Sequence, residues 1–440
     1  MKLCILGGGL SGVSLAYFLQ NNPKIKQIDI FEKSEKLGGL ASSFQKEGIY
    51  YDIGPHIIFS KDKEVLDLMK NLLGKNINKL RRSNKIFYKG RFVKYPFENE
   101  LSALPEKDRE YCLNAFLHNP YENYETGNML QFFLKTFGEG ITNTYLRPYN
   151  EKIWKFDPSF MDTQMVERIP KPPREDIINS AKGETTEGYA HQLNFHYPKK
   201  GGIETLIKAF ANKFNVSVNV IVNSNVTSVQ KINNKWTVKT DTEVFDNYDL
   251  LISSIPVPSL LKAYKADVPN DIVKAIGDLK YNSIIITIIN VRKDNLGNHF
   301  AVNIPDKNII FHRVSKLNFL GDSYCKKDGS VTLMIEITYQ KNSLIDKMDN
   351  EDIMDKILDD LEELKFIDTR KDVNFTEARR FEYAYVIYDL NHRKNMDLIK
   401  GYFTDHGIAL CGRFGEFEYI NMDAVIRHAK NLTEKLEIIK

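Results

Sequence analysis

At 440 residues the chain exceeds what one hydrophobic core usually serves, so two or three subdomains are expected. Its 42% hydrophobic and 27% charged residues are ordinary for a globular protein, and a net charge of +3 argues for neither nucleic acid nor a membrane surface as partner. Four cysteines (Cys4, Cys112, Cys325, Cys411) form no CxxC pair, so they give no zinc spacing and no disulfide framework, and no metal is expected.

Residues 2–6 (KLCIL) open the chain as a short apolar strand, with no charged n-region or long apolar h-region before it. No stretch approaches the roughly 20 apolar residues of a membrane helix, so a cytoplasmic protein is expected and the sequons at Asn215, Asn225 and Asn431 read as chance. The strand runs into Gly7-Gly8-Gly9, then SGVSLAYFLQ at helical spacing, then residues 27–31 as a second strand. In this strand-turn-helix context Gly7-x-Gly9-x-x-Gly12 is a dinucleotide fingerprint. Gly7 permits the tight turn, Gly9 lets backbone approach a pyrophosphate, and Gly12 allows close helix–strand packing, while Leu10 and Ser11 open the helix whose N-terminus favours anions. Glu32 ends the second strand, twenty residues after Gly12, where a carboxylate accepts from adenosine ribose hydroxyls. The fingerprint also serves NAD, but Glu32-Lys33 followed by Gly38-Gly39 and Leu40 tips the reading to FAD, because a second glycine pair admits the longer flavin part.

From about Glu106 to Ser180 the chain is rich in Phe, Tyr, Leu and Asn at helical periods, with prolines at Pro170, Pro172 and Pro173. HYPKKGGIETLIKAF (196–210) reads as a turn leading into a helix. VSVNVIVNSNVTSVQ, KWTVKT and YDLLISSIP read as strands returning to the nucleotide layer, with Val226 assigned to the cofactor site. SIIITIINV, KNIIFHRV and VTLMIEITY read as alternating strands of an antiparallel sheet, residues 350–365 as a charged amphipathic helix, and the end as strand, Gly-rich turn and helix. The expected fold is α/β: a discontinuous Rossmann-like FAD-binding domain (1–80, 195–262, 395–440), an inserted mostly helical substrate domain (100–194), and an antiparallel sheet substrate domain (81–99, 263–394).

Several motifs across nearly the whole chain resemble the UDP-galactopyranose mutase family. They are Gly54-Pro55-His56-Ile57-Ile58-Phe59-Ser60, NKIFYKGRFVKYPF (84–97), Arg147-Pro148-Tyr149-Asn150-Glu151-Lys152-Ile153-Trp154, and Glu167-Arg168-Ile169-Pro170. Phe311-His312-Arg313 and Gly412-Arg413-Phe414-Gly415-Glu416-Phe417-Glu418-Tyr419 with Asn421-Met422-Asp423 complete the set. The resemblance implies His56 against the flavin, Arg168 and Arg313 as clamps on a substrate diphosphate, and Tyr385 and Tyr419 as phosphate-binding phenols. It implies Tyr149, Asn150 and Trp154 at the nucleoside, Gly412 and Arg413 at the flavin pyrophosphate, and Asn421 and Met422 at the flavin's pyrimidine edge. Asn421 stands where bacterial mutases tend to carry Asp, which leaves the sugar and the base open.

The activity so implied is a flavin-dependent pyranose–furanose mutase acting on a nucleoside-diphosphate sugar, with reduced flavin N5 as the nucleophile on the anomeric carbon. FAD is then active only when reduced, and NAD(P)H or a reductase must supply the electrons. Closure of the Arg313 region over the ligand is expected, and a homodimer is left open. The rival is a flavin oxidase or desaturase of the amine oxidase and protoporphyrinogen oxidase type, which shares the glycine fingerprint but has little use for diphosphate arginines. A third reading is a non-enzymatic flavin scaffold that senses redox state.

Overall fold

The computed structural model describes residues 1–166, 169, 171–184 and 193–438. A five-stranded parallel sheet runs Ile408–Leu410, Leu250–Ser253, Lys2–Leu6, Gln27–Phe31, Val218–Ile221 in spatial order. Its centre reads as a continuous apolar run because both faces are covered: Leu3, Cys4, Ile5 and Leu6 have no exposure. The helix Leu10–Leu19 lies on this sheet and packs against the final helix Met422–Ile438 and the helix Glu204–Ala211. A three-stranded antiparallel sheet (Val226–Ile232, Lys235–Thr240, Val244–Tyr248) sits beside it. The expected single run from Val216 to Gln230 is therefore two strands in two sheets, divided at Asn223, whose φ of 52° turns the chain.

The second large layer is a seven-stranded sheet in the order Val373–Ile387, Lys280–Val291, Val331–Tyr339, Arg313–Lys316, Ala301–Asn303, Asn84–Tyr88, Arg91–Lys94. All neighbours are antiparallel except Ala301–Asn303 with Asn84–Tyr88, which run parallel. The segment SIIITIINV is not an alternating half-exposed strand. Ile285 and Ile289 face a core with Ile353, Ile357 and Leu361 of the helix Asn350–Glu363, whereas Ile284, Ile286 and Ile288 face Tyr51, Phe195 and Tyr197. In KNIIFHRV only Arg313 onward is strand. The Asn308 and Ile310 N–H groups donate to the side chains of Asp306 (2.9 Å) and Asp360 (2.6 Å), so this backbone is satisfied without a ladder.

Four helices, Glu106–Leu117, Met129–Ile141, Arg147–Trp154 and Arg174–Ala181, form a helical unit, of which Arg147–Trp154 touches the strand Val331–Tyr339. Phe97, Phe116, Phe133 and Phe137 fill its core. The fold is the expected mixed α/β arrangement, with a parallel sheet for the nucleotide and a separate, largely antiparallel sheet.

Candidate active site

The carboxyl ends of parallel strands are where open α/β sheets bind ligands. Gly7 follows the central strand with φ of 101°, the left-handed region that glycine tolerates. A Cβ on Gly12 would lie 2.0 Å from the Gly7 carbonyl oxygen, so the helix touches the turn without a side chain between. The helix has Gly9 as its N-cap with no side-chain cap and no acid in its first turn, which leaves its amino end suited to a pyrophosphate. Glu32, 8% exposed, accepts from the Gly8 N–H (2.9 Å) and the Ser34 N–H (2.8 Å), one per carboxylate oxygen. Each oxygen keeps a lone pair for a ribose hydroxyl. Gly38 bridges to Gly9, and a Cβ on Gly39 would come within 3.1 Å of the Gly9 Cα, so the second glycine pair closes on the first. Leu40 is half-buried there and Lys33 is exposed.

Ser224 donates its N–H to the Glu32 carbonyl (2.9 Å), which brings the strand beginning at Val226 close to Glu32. At the other end, a Cβ on Gly412 would fall 1.9 Å from Ser11 Oγ, so the C-terminal loop lies against the helix start. Met422 packs with Leu10, Ala41 and Ile58, while Asn421 is exposed. These residues form a dinucleotide cradle that admits an FAD: glycines where a backbone must approach closely, a bare helix amino end and a buried carboxylate with acceptor capacity to spare.

Beyond the cradle the structure assembles a cluster of arginines and aromatic rings. Arg313 donates from Nε and Nη2 to the two oxygens of Glu336, at 2.5 Å each, and Glu336 has no exposure. The His56 loop packs on this pair: a Cβ on Gly54 would lie 3.2 Å from Glu336 Oε2 and 3.9 Å from Arg313 Nη2. His56 Nδ1 lies 3.1 Å from the Gly54 carbonyl. A carbonyl only accepts, so Nδ1 carries the proton and Nε2 the lone pair. Burial first, then the charge of Arg413, with Arg313 adding, lowers the His56 pKa to about 4, the Gly54 bond opposing them. His56 is thus a neutral imidazole at neutral pH.

Trp154, 7% exposed, meets Tyr385 and Tyr419 edge-on at 5.7 and 5.2 Å, and these two rings lie 5.5 Å apart. Tyr149 stacks on Tyr145 at 5.2 Å. Burial pushes the phenols of Tyr149 and Tyr385 up, Glu336 adding and Arg313 opposing, so both are protonated donors. For Arg313, burial pulls down but Glu336 outweighs it, and the guanidinium is held well above its ordinary value.

The other sequence-derived residues have the following surroundings. Arg413 donates to the carbonyls of Ile420 (3.0 and 2.7 Å) and Ala384 (3.1 Å), with its guanidinium 4.8 Å from the Tyr419 ring. It stands among the tyrosines and His56. Asn150 accepts from Trp154 Nε1 (3.0 Å) and donates to the Leu146 carbonyl (2.7 Å), so its amide orients the indole. Arg313 lies at the start of a strand locked to Glu336, and closure of this segment would require that pair to break. Arg168 lies outside the described residues.

Three members of the cluster had not been expected. Glu336 is the first; a lone acid inside VTLMIEITY is its sequence signal. Tyr95 is raised by burial, with Arg82 and Arg313 opposing, and Arg82 places its guanidinium 5.4 Å from the Phe59 ring. Among the described residues no group of three or more His, Cys, Asp or Glu is placed to hold a metal, and no helix is long and apolar enough to cross a membrane.

Among solved structures the chain is similar to reduced UDP-galactopyranose mutase, with a TM-score of 0.91 and 24% identity over 100% of this chain and 96% of that one. At that identity the likeness shows the fold. Among curated proteins it is similar to the protoporphyrinogen oxidase of Dictyostelium discoideum, 21% identical with 99% of each chain covered. It is also similar to a 4,4'-diapophytoene desaturase of Staphylococcus haemolyticus, 39% identical over 62 residues, 14% of this chain and 12% of that protein. The coproporphyrinogen III oxidase of Staphylococcus aureus matches at 35% over 72 residues, 16% of this chain and 15% of that protein. The chain therefore matches only a small part of the length of these last two relatives. The sequence model described as flavin containing amine oxidoreductase matches residues 10–412. Cradle and family agree on the cofactor, FAD. The chain, matched over more than nine tenths of its length, belongs to the flavin containing amine oxidoreductase family.

Proposed function

We propose that this flavoenzyme interconverts the pyranose and furanose forms of a nucleoside-diphosphate sugar of the UDP-galactose type. The observation that carries the reading is the company of Arg313: a guanidinium with the phenols of Tyr149 and Tyr385 beside it, and with Trp154, Tyr385 and Tyr419 in mutual contact. Glu336 takes two of the five N–H donors of Arg313, and among the described residues the others remain for an anion. Bound and reduced, FAD would supply a nucleophilic N5 for the anomeric carbon.

The chain's own residues would then act on the leaving diphosphate. Arg313 stabilises its developing charge, Tyr385 and Tyr419 donate to phosphoryl oxygens, and Tyr149 with Trp154 flanks the nucleoside. Neutral His56 offers the Nε2 lone pair beside the flavin without adding positive charge. Arg168 is proposed as a second clamp on the motif alone. The segments 1–80, 195–262 and 395–440 are proposed as the FAD domain, and NAD(P)H or a reductase as the source of electrons.

The second reading is a flavin oxidase or desaturase, favoured by the names of the curated relatives and by the partial neutralisation of Arg313 by Glu336. Anaerobic incubation of dithionite-reduced enzyme with UDP-galactofuranose separates the two. Formation of the pyranose by reduced enzyme, with the oxidised form inert, supports the mutase. Steady oxygen or acceptor consumption with a porphyrinogen, an amine or a polyene supports the alternative.

A further inference from the structure

The helix Arg147–Trp154 presents two chemically different faces. Tyr149, Asn150 and Trp154 belong to the arginine and tyrosine cluster, whereas Glu151 and Lys152 line a separate cavity of about 410 Å³. Lys155, Lys307 and Lys356 complete the charged lining of that cavity.

The charges there do not balance. Lys307 pairs with Glu151 at 2.5 Å, but Glu151 also accepts from Arg147 at 2.7 Å. Lys356 pairs with Asp360. Lys152, 5% exposed, directs its ammonium at two backbone carbonyls, Ile304 at 3.0 Å and Asp306 at 2.5 Å. Among the described residues neither Lys152 nor Lys155 has a carboxylate at ion-pairing distance. Arg147 also pairs with Asp157 at 3.8 Å, so three carboxylates serve four ammonium groups and one guanidinium.

We propose that this cavity is a second ligand site, on the other side of the helix from the flavin, and that it takes a small phosphorylated molecule. Phosphoryl oxygens would sit on Lys155 and Lys152, and the rest of the ligand against Ile309, Ile310 and Ile345, which form an apolar flank. The volume falls within the roughly 300–1,000 Å³ of small-molecule sites, and lysine is an established phosphate ligand acting as a point charge. Taking ammonium groups out of water without an anion is costly. Burial, with Lys155 adding and the charges of Asp306 and Asp360 opposing, lowers the Lys152 pKa to about 7, and burial also lowers that of Lys155. A phosphoryl dianion would favour the charged form of both. The inference does not rest on the mutase reading.

The test is lysine acetylation of the FAD-loaded protein at neutral pH, mapped by peptide mass spectrometry, with inorganic pyrophosphate, with ADP, or with sodium chloride at matched ionic strength. Because FAD fills the dinucleotide cradle, ADP reports on other sites. At about ten times the Kd, labelling of Lys155 and Lys152 should fall about tenfold, as mass action requires, while that of the exposed Lys274 stays constant. In K155Q the protection of Lys152 should disappear. Protection by ADP alone still supports the site and gives the organic part the larger share. Unchanged labelling with both ligands, or equal protection by chloride, overturns the proposal. The wild-type protection experiment stands even if K155Q does not fold.

Discussion

Arg313 and Glu336 lie directly opposite each other on neighbouring antiparallel strands, and their side chains meet in a two-bond ion pair closed at 2.5 Å on both arms. The pair fixes the guanidinium beside His56 and the tyrosines, and it also sets the charge that a ligand meets. A buried acid here is a positioning group. Removing its charge in E336Q leaves an uncompensated guanidinium, which costs about 3–5 kcal/mol. Urea unfolding of FAD-loaded wild type and variant should show that loss. Equal stability would mean the pair is dispensable.

The glycine fingerprint makes a sharper prediction for the cofactor. In G12A the new methyl would press on the Gly7 carbonyl from 2.0 Å, and either the helix or the turn must move. Flavin affinity should drop at least about tenfold, or 1.4 kcal/mol, read as the ratio of flavin absorbance to protein after dialysis. Full flavin retention would contradict the role of this contact.

His56 gives a pH dependence whose sign follows from its shift. Its folded pKa of about 4 lies below the ordinary 6.5, so between these values the unfolded chain binds more protons. Stability is then lost as pH falls below 6.5, by up to about 3 kcal/mol for this group. The difference in urea midpoint between wild type and H56N should change across pH 7 to 4.5, in favour of the variant at acid pH. A constant difference would show that His56 is not held neutral.

Asn150 tests the aromatic wall. N150A removes the acceptor of the Trp154 indole N–H at 3.0 Å and frees the ring to turn. On the proposed reaction KM for the nucleotide sugar should rise about tenfold with kcat little changed, since uniform binding is lost. Flavin content should stay at the wild-type level. A fall in kcat with KM unchanged would place Trp154 at the chemical step.

The cradle was legible in the sequence because its determinants are local. Gly7, Gly9 and Gly12 fall within one turn and a helix start, and Glu32 ends the adjacent strand. The gathering of Tyr149, Trp154, Tyr385 and Tyr419 followed from motif resemblance and not from spacing, since these residues come from three distant stretches of chain. The partner of Arg313 was not legible, because cross-strand register decides it and nothing in KNIIFHRV fixes that register. The same holds for Arg82 and Tyr95, which join the cluster through a parallel strand pairing that an antiparallel expectation omits. Continuous apolar segments such as SIIITIINV misled for a simple reason: a strand covered on both faces loses its alternation. The unbalanced lysines around Lys152 were invisible in a chain whose net charge is only +3.

The central claim is that this site breaks and remakes the bond between a sugar's anomeric carbon and a diphosphate oxygen. Positional isotope exchange measures that event directly, using dithionite-reduced enzyme and UDP-galactose labelled with heavy oxygen at the anomeric bridge, followed by phosphorus NMR. Migration of the label into non-bridging positions of the β-phosphate is expected, abolished in oxidised enzyme. A label that stays in the bridge, with reduced and fully FAD-loaded enzyme, would contradict it.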